Sequence, residues 1–331
     1  MKKNYKLMIA LGLSLFAAGG CAKNTEVDPS ITNIAVSNPD FQTLEDAAVR
    51  GNVAILLGNS NPGDPEGKFT VFAPTNSAFA RLGLNSAQDL TVLQQPFLRN
   101  TLFYHVFNGT LPGVALTPNS VSPSALGPQR RIIRRADNSL YVNGSKILGT
   151  DVRASNGLIH PIDKVLLATG ADVLNSALAL QKGDVFVQPE LTYLVEAVLY
   201  TNLAGALAGS PGGAPLTVFA PTDQAFKNLG TMLGVPLNQP SDIRKLPEAT
   251  VRAVLLNHVV GGTQGGKFTS ELPENAVVAS AGGAPVALGA FTNGVLTVRG
   301  NGNGTNTANM VIPDVQCTNG VVHVIDRVLL P

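Results

Sequence analysis

Two stretches of the chain carry the same arrangement of apolar and polar positions. FQTLEDAAVRGNVAILL (41–57) and LTYLVEAVLYTNLAGAL (191–207) place apolar residues three and four apart, the period of an amphipathic helix. Thr43 and Asp46 have the spacing of a capping box at the start of the first stretch. A second helical pattern, FLRNTLFYHV (97–106) and EATVRAVLLNHVV (248–260), carries a His near its C-terminal end, where the helix dipole favours it. After each of these the pattern turns strand-like. RRIIRR, SLYVNG and KILGTDV follow the first, and APVALG, GVLTVRG and NMVIPDV follow the second. Helices precede strands in both halves, which predicts an α+β fold rather than alternating α/β units.

The halves are copies of one unit. TVFAPTNSAFARLG begins at Thr70 and TVFAPTDQAFKNLG at Thr217. In each, a β-prone run ends at Pro74 or Pro221, because proline cannot extend a ladder. Thr75 or Thr222 then takes the N-cap of a short helix, which Gly83 or Gly230 is expected to close. The closing blocks, NGLIHPIDKVLL (156–167) and NGVVHVIDRVLL (319–330), agree at eight of twelve positions. The second copy is longer between Phe226 and His258 and again before His323, where GNGNGTNTAN reads as a loop. Domains over 31–168 and 171–331 follow, with ADVLNSALAL (171–180) the first helix of the second. No Pro/Ser-rich spacer separates Leu167 from Glu190, so a fixed tandem is expected.

The first twenty residues stand apart. A cationic MKKNYK, a largely apolar run of twelve residues (Leu7–Ala18) and Ala18-Gly19-Gly20 before Cys21 form a pattern too short for a transmembrane helix. It resembles a bacterial lipoprotein signal over residues 1–20, with Ala18 where that signal usually has Leu. The resemblance implies acylation of Cys21, a polar tether over 21–30, and attachment to a membrane through lipid. Ala22 is not the Asp that commonly retains such proteins at the inner membrane, so an outer-membrane or surface address is expected. Removal of Lys2, Lys3 and Lys6 with the leader leaves 20 basic against 22 acidic residues, which gives no support for a nucleic-acid partner. Cys317 is the one remaining thiol, so no intrachain disulfide is expected.

Candidate chemistry centres on four histidines, His105, His160, His258 and His323, at matching places in the two copies. A His and an Asp three apart (His160 and Asp163, His323 and Asp326) suit acid–base work, a metal site or architecture. Strand alternation favours architecture, since residues three apart point to opposite faces, and a metal site needs more ligands than either copy offers. No G-x-S-x-G elbow, phosphate loop or dinucleotide glycine pattern is present. RRIIRR is the one dense basic cluster. Arg130, Arg131, Arg134 and Arg135 are candidates to hold a phosphate or acidic glycan, with a solvated edge strand guarded by charge the favoured reading. The chain has no Trp and 5% aromatic residues, which disfavours a carbohydrate-binding platform. No catalytic residue, cofactor or metal is expected.

The TVFAPT-x-x-AF block, Tyr104-His105 and the Asn-Gly-x-x-His-x-Ile-Asp-x-Val-Leu block together resemble the fasciclin-like domain family, in order and twice. The second copy departs at Asn257-His258, where the family's pair is Tyr-His. The resemblance implies two β-wedge or sandwich domains flanked by short helices, roles in adhesion or surface display, and no catalytic residues established for the family. Thr75, Tyr104, His105, His160, Asp163, Thr222, His258, His323 and Asp326 are then structural motif residues. In animal members integrin recognition has been attributed to the stretch before the closing motif, here GTDVRASNG (149–157) and IPDVQCTNG (312–320). Integrin binding is not carried over, but Asp151 and Asp314 within these stretches are candidate ligand contacts. The expected function is a non-enzymatic, lipid-anchored adhesion or interaction protein of the bacterial cell envelope, with a protein, matrix or cell-wall partner. The alternative is a small-molecule or glycan-binding lipoprotein that uses the cleft between the domains.

Overall fold

The computed structural model describes residues 28–209 and 213–331; the leader, Cys21 and most of the tether lie outside the described residues. The first unit opens with helices α1 (Ile31–Ser37), α2 (Gln42–Arg50) and α3 (Ala54–Gly58). Strand β1 (Phe69–Pro74), α4 (Asn76–Ala80) and α5 (Gln95–Tyr104) follow. Next come β2 (Val106–Asn108), β3 (Val121–Pro123), β4 (Gln129–Arg134), β5 (Leu140–Val142), β6 (Ser145–Lys146), β7 (Val152–Ala154), β8 (Gly157–Ile162) and β9 (Leu167–Ala168). The second unit repeats this order: α6 (Val173–Lys182), α7 (Thr192–Tyr200), α8 (Ala204–Ala208), β10 (Leu216–Pro221), α9 (Asp223–Leu233) and α10 (Glu248–Asn257). Its remaining strands are β11 (Val259–Val260), β12 (Ala276–Ala279), β13 (Pro285–Leu288), β14 (Thr297–Gly300), β15 (Ala308–Cys317) and β16 (Gly320–Ile325).

The long helical pattern at 41–57 breaks at Gly51 and Asn52, the latter in a left-handed conformation (φ 55°). Its expected capping box does not form. The Thr43 N–H is instead capped from outside by Asn76 Oδ1 (2.9 Å), and Tyr193 N–H by Asp223 Oδ1 (3.0 Å). The first helical residue after TVFAPT, Asn76 or Asp223, therefore anchors the second helix of each unit, α2 or α7. Thr222 accepts from Ala225 N–H as expected (3.1 Å), whereas Thr75 occupies the N-cap without a side-chain bond. Gly230 does not end its helix; α9 runs on to Gly234 at φ 66°.

In each unit the strand of the TVFAPT block pairs in parallel with the strand of the closing block, β1 with β8 and β10 with β16. The first unit holds two four-stranded sheets, β2-β1-β8-β7 and β3-β4-β5-β6, the two faces of a wedge. In the second unit these merge into one path, β11-β10-β16-β15-β14-β13-β12, because β15 runs ten residues through two register shifts. One apolar core lies under the helices of each unit and a second within each wedge.

The Asn-Gly of each closing block ties these layers together. Asn156 Oδ1 accepts from Ile31 N–H, and its Nδ2 donates to Leu57 O and Asn59 O. Asn319 does the same with Val173 N–H, Leu207 O and Ala208 O. The glycine after it lets two backbones meet, since a Cβ at Gly157 would overlap Phe69 O and one at Gly320 would overlap Leu216 O.

Candidate interaction surface

The four histidines are buried and each bridges two backbone groups. His105 accepts from Leu166 N–H at Nε2 (2.9 Å) and donates from Nδ1 to Thr101 O (2.7 Å). His258 does the same with Leu329 N–H and Val254 O. His160 and His323 use the other tautomer. Their Nδ1 atoms accept from Asp151 N–H (3.1 Å) and Asp314 N–H (3.2 Å), and their Nε2 atoms donate to Leu111 O and Lys267 O. A neutral ring satisfies both partners and a protonated one cannot. Burial pushes His105 and His258 down to about 4 and lowers His160 and His323 in the same direction.

Asp163 and Asp326 sit just beyond the strands that carry His160 and His323. Asp163 Oδ1 accepts from Lys146 N–H (2.7 Å) and Ser145 Oγ–H; Asp326 Oδ1 accepts from Asn309 N–H (2.8 Å). Neither carboxylate is bonded to the histidine three residues before it. Among the described residues, no cluster of three or more His, Cys, Asp or Glu side chains could hold a metal ion. No helix among them is long and apolar enough to cross a membrane.

The basic cluster is not a solvated edge. Arg130 is fully buried, donating to Tyr104 O, Ser122 Oγ and Pro123 O while its guanidinium lies 4.8 Å from the centre of the Phe72 ring. Arg131 and Arg135 reach the second unit. Arg131 pairs with Glu271 (2.6 Å) and donates to Gly266 O; Arg135 pairs with Glu274 (2.9 Å) and donates to Ser270 O. Arg134 alone stays exposed, bonded to Asn138. Alternation along β4 points Arg130 and Ile132 inward, and the facing unit covers what would otherwise be a free edge.

At the centre of this junction lies a buried ion pair. The Lys164 ammonium donates to Asp314 Oδ2 (2.5 Å), Thr269 Oγ1 (2.9 Å) and Gly294 O (2.7 Å). Asp314 also accepts from Thr269 N–H (2.6 Å). Burial pushes the Asp314 carboxyl up, but Lys164 and these hydrogen bonds outweigh it and hold it below its usual range. Gly144 makes room for the pair, since a Cβ there would overlap the Asp314 carboxylate. Tyr104 Oη donates to Gln316 Oε1, and Gln316 Nε2 to Gln129 O (2.9 Å). This explains the departure at Asn257. Tyr104 links the units, whereas its counterpart turns inward to Leu329 O. β9 adds to β15 in parallel, Leu167 beside Val315, so the end of the first unit joins the second unit's sheet.

The cleft between units is therefore mostly occupied. Besides a smaller apolar cavity of about 70 Å³ between Phe79, Leu93 and Phe97 of the first unit and Phe186, Leu191 and Val315 of the second, it keeps a crevice of about 200 Å³ lined by Arg81, Leu82, Lys164, Asn293, Val295 and Met310, among others. Both its cations are engaged, Arg81 with Asp163 and Asn293 O and Lys164 with Asp314. Sequence reasoning missed Lys164, Gly144, Gln316 and Asn143, whose Oδ1 accepts from Arg131 N–H and whose Nδ2 donates to Tyr104 Oη. The available signal was the basic position kept in both closing blocks, Lys164 and Arg327.

The segment that carries Asp314 has an exact counterpart in length around Asp151, and the two are used differently. Both aspartates have left-handed backbones (φ 65° and 61°) and both give their N–H to the histidine nine residues on. In the second unit the segment is the bulged middle of β15, packed on the first unit. In the first unit it breaks the chain between β6 and β7 and stands free. Leu148 is 53% exposed, Val152 40% and Val114 87%, with Asp151 and Arg153 beside them. Asp151 Oδ1 accepts from Gly113 N–H (2.8 Å), which fixes the turn that carries Val114.

The receiving face is also unequal between units. Where the first unit has the short Asn143-Gly144 turn, the second has a longer loop after β14 that folds onto its own last segment. Asn303 Nδ2 donates to Val328 O (2.9 Å), Leu330 N–H donates to Asn303 Oδ1 (2.9 Å), and Gly302 N–H donates to Leu330 O (3.0 Å).

Comparison with known proteins gives one family. A model described as Fasciclin domain matches residues 39–168 and 189–331. Protein sll1735 of Synechocystis sp. is 38% identical over 42% of this chain and 98% of its own. Human periostin is 27% identical over 80% of this chain but only 29% of its own length. A solved FAS1 domain pair from the insect cell adhesion molecule Fasciclin I aligns with 91% of this chain and 96% of its own, at 18% identity and a TM-score of 0.40.

Proposed function

Because this chain belongs to the fasciclin domain family, we propose that it is a non-enzymatic adhesion or interaction protein of the bacterial cell envelope. Lipid on Cys21 holds it at a membrane, and the segment Leu148–Arg153 of the first unit engages a protein or matrix partner there. One observation carries this reading. The same segment in the second unit is a docking element, and in the first unit it is preformed but uncovered. Exposed Leu148, Val152 and Val114 flanked by Asp151 and Arg153 give an apolar centre with a charged rim, the make-up of a contact surface. Its Asp–His bond and the Gly113 turn hold it rigid, so little entropy is lost on contact.

The test uses cells that express the full chain. Leu148→Asp with Val152→Asp should abolish crosslinking to the envelope partner that the wild type recovers, with the melting temperature unchanged. Undiminished crosslinking would sink the proposal. In the same cells Cys21→Ser should lose incorporation of labelled palmitate, and a variant still labelled would remove the anchor.

A further inference from the structure

Each unit encloses an apolar chamber between its three opening helices and its parallel strand pair, and the two chambers differ in size. The first holds about 80 Å³ and the second about 190 Å³. Their walls can be matched helix by helix, because Ile31 and Val173 N–H and Leu57 and Leu207 O meet equivalent asparagines, and Thr43 and Tyr193 N–H are capped from equivalent positions. On that register Phe41 of the wall becomes Leu191, and Ile34 and Leu56, which pack against the same core beside the first chamber, become Ser176 and Ala206 in the wall of the second; Thr32 and Ala48 change the other way, to Leu174 and Val198. The cut-backs at Ile34 and Leu56 coincide with the larger volume of the second chamber. At Glu45 the exchange is to Val195, which removes a carboxylate from the wall.

Core chambers are normally filled, so an apolar cavity of this size needs an explanation. A cavity of about 150 Å³ lined by aliphatic residues stays dry and accepts benzene. Ser176 and His258 are polar members of the second wall, and both are already engaged. Ser176 donates to Asp172 O (2.6 Å), and His258 is held between Val254 O and Leu329 N–H. The chamber thus recognises shape and apolarity. Of its lining residues Ala206 is exposed and Leu174, Leu207 and Leu216 are partly so, which brings this side of the chamber to the surface.

We propose that the second unit binds the hydrocarbon end of an amphiphile, an acyl chain whose polar head stays in water at the Ala206–Leu207 rim. Free fatty acids and lipid acyl chains share this chemistry. The proposal is independent of the contact surface on the first unit, so either can fail alone.

The experiment uses residues 28–331, which contain all four apolar cores, with dodecanoic acid labelled with carbon-13 at its terminal methyl. One-to-one saturable binding is expected, with nuclear Overhauser contacts from that methyl to Val198 and Leu207. A parallel titration with a dodecanoyl lysophospholipid distinguishes the sources; binding in both arms assigns a lipid chain, binding of the acid alone a free fatty acid. Ala206→Leu and Leu191→Phe restore the first unit's residues and should each weaken binding at least tenfold while the protein melts no lower. Lack of saturable binding in both arms overturns the proposal, as do methyl contacts elsewhere or unchanged affinity in both variants. If a variant fails to fold, the wild-type methyl contacts decide.

Discussion

A histidine that spans one donor and one acceptor is a neutral crossbar, and this protein has four. The unfolded imidazole titrates near 6.5, whereas His105 and His258 are held at about 4. Their folded values are depressed, so the unfolded chain takes up protons first and stability falls as pH drops from about 6.5 towards 4. At pH 4.5 each of the two should cost roughly 2–3 kcal/mol relative to pH 7. Denaturant unfolding at the two pH values checks this, and equal midpoints would contradict it. Asp314, lowered by its junction partners, acts in the same sense at lower pH. The burial of these histidines was foreseeable from their apolar neighbours; which backbone groups they bridge was not, because Leu166 and Leu329 come near them only through the fold.

Among the elements, the two β-rich halves differ most where their sequences look most alike in length. KILGTDV and NMVIPDV both read as strands, yet one is broken and the other continuous with bulges. What separates them is the presence or absence of a docked unit, and no local pattern records that. The same holds for RRIIRR. Its alternation was legible, but a period of two cannot say that the second face is covered by another unit, nor that Arg130 would find three acceptors inside. Gly144 is the narrowest point of this arrangement. Gly144→Ala leaves both unit cores untouched but displaces the Asp314 carboxylate, leaving the buried Lys164 ammonium with neutral partners only, Thr269 Oγ1 and Gly294 O. A loss of about 3–5 kcal/mol is expected, the range for breaking a buried pair. Because the loss falls on the junction, the unaltered protein should unfold in one urea transition and the variant in two. A variant with one unchanged transition would show that the pair does not couple the units.

At the scale of the molecule, duplication, element order and the α+β class were all readable from repeated motifs, since internal repeats survive where contacts do not show. The junction was not readable, because it joins Lys164 to Asp314 and Arg131 to Glu271 across more than a hundred residues. Its one-sidedness has a further consequence. Units that dock by inserting a segment into the next unit's turn form a heterologous contact, and such contacts extend into fibres unless something stops them. Here the stop is the loop around Asn303, folded against Val328 and Leu330. The second unit's acceptor face is shut, and the first unit's is filled from within the chain. The free Leu148–Arg153 segment therefore finds no matching slot on another copy, and sedimentation at micromolar concentration should show a monomer. Self-assembly is closed off at the surface where recruitment of a different molecule stays open.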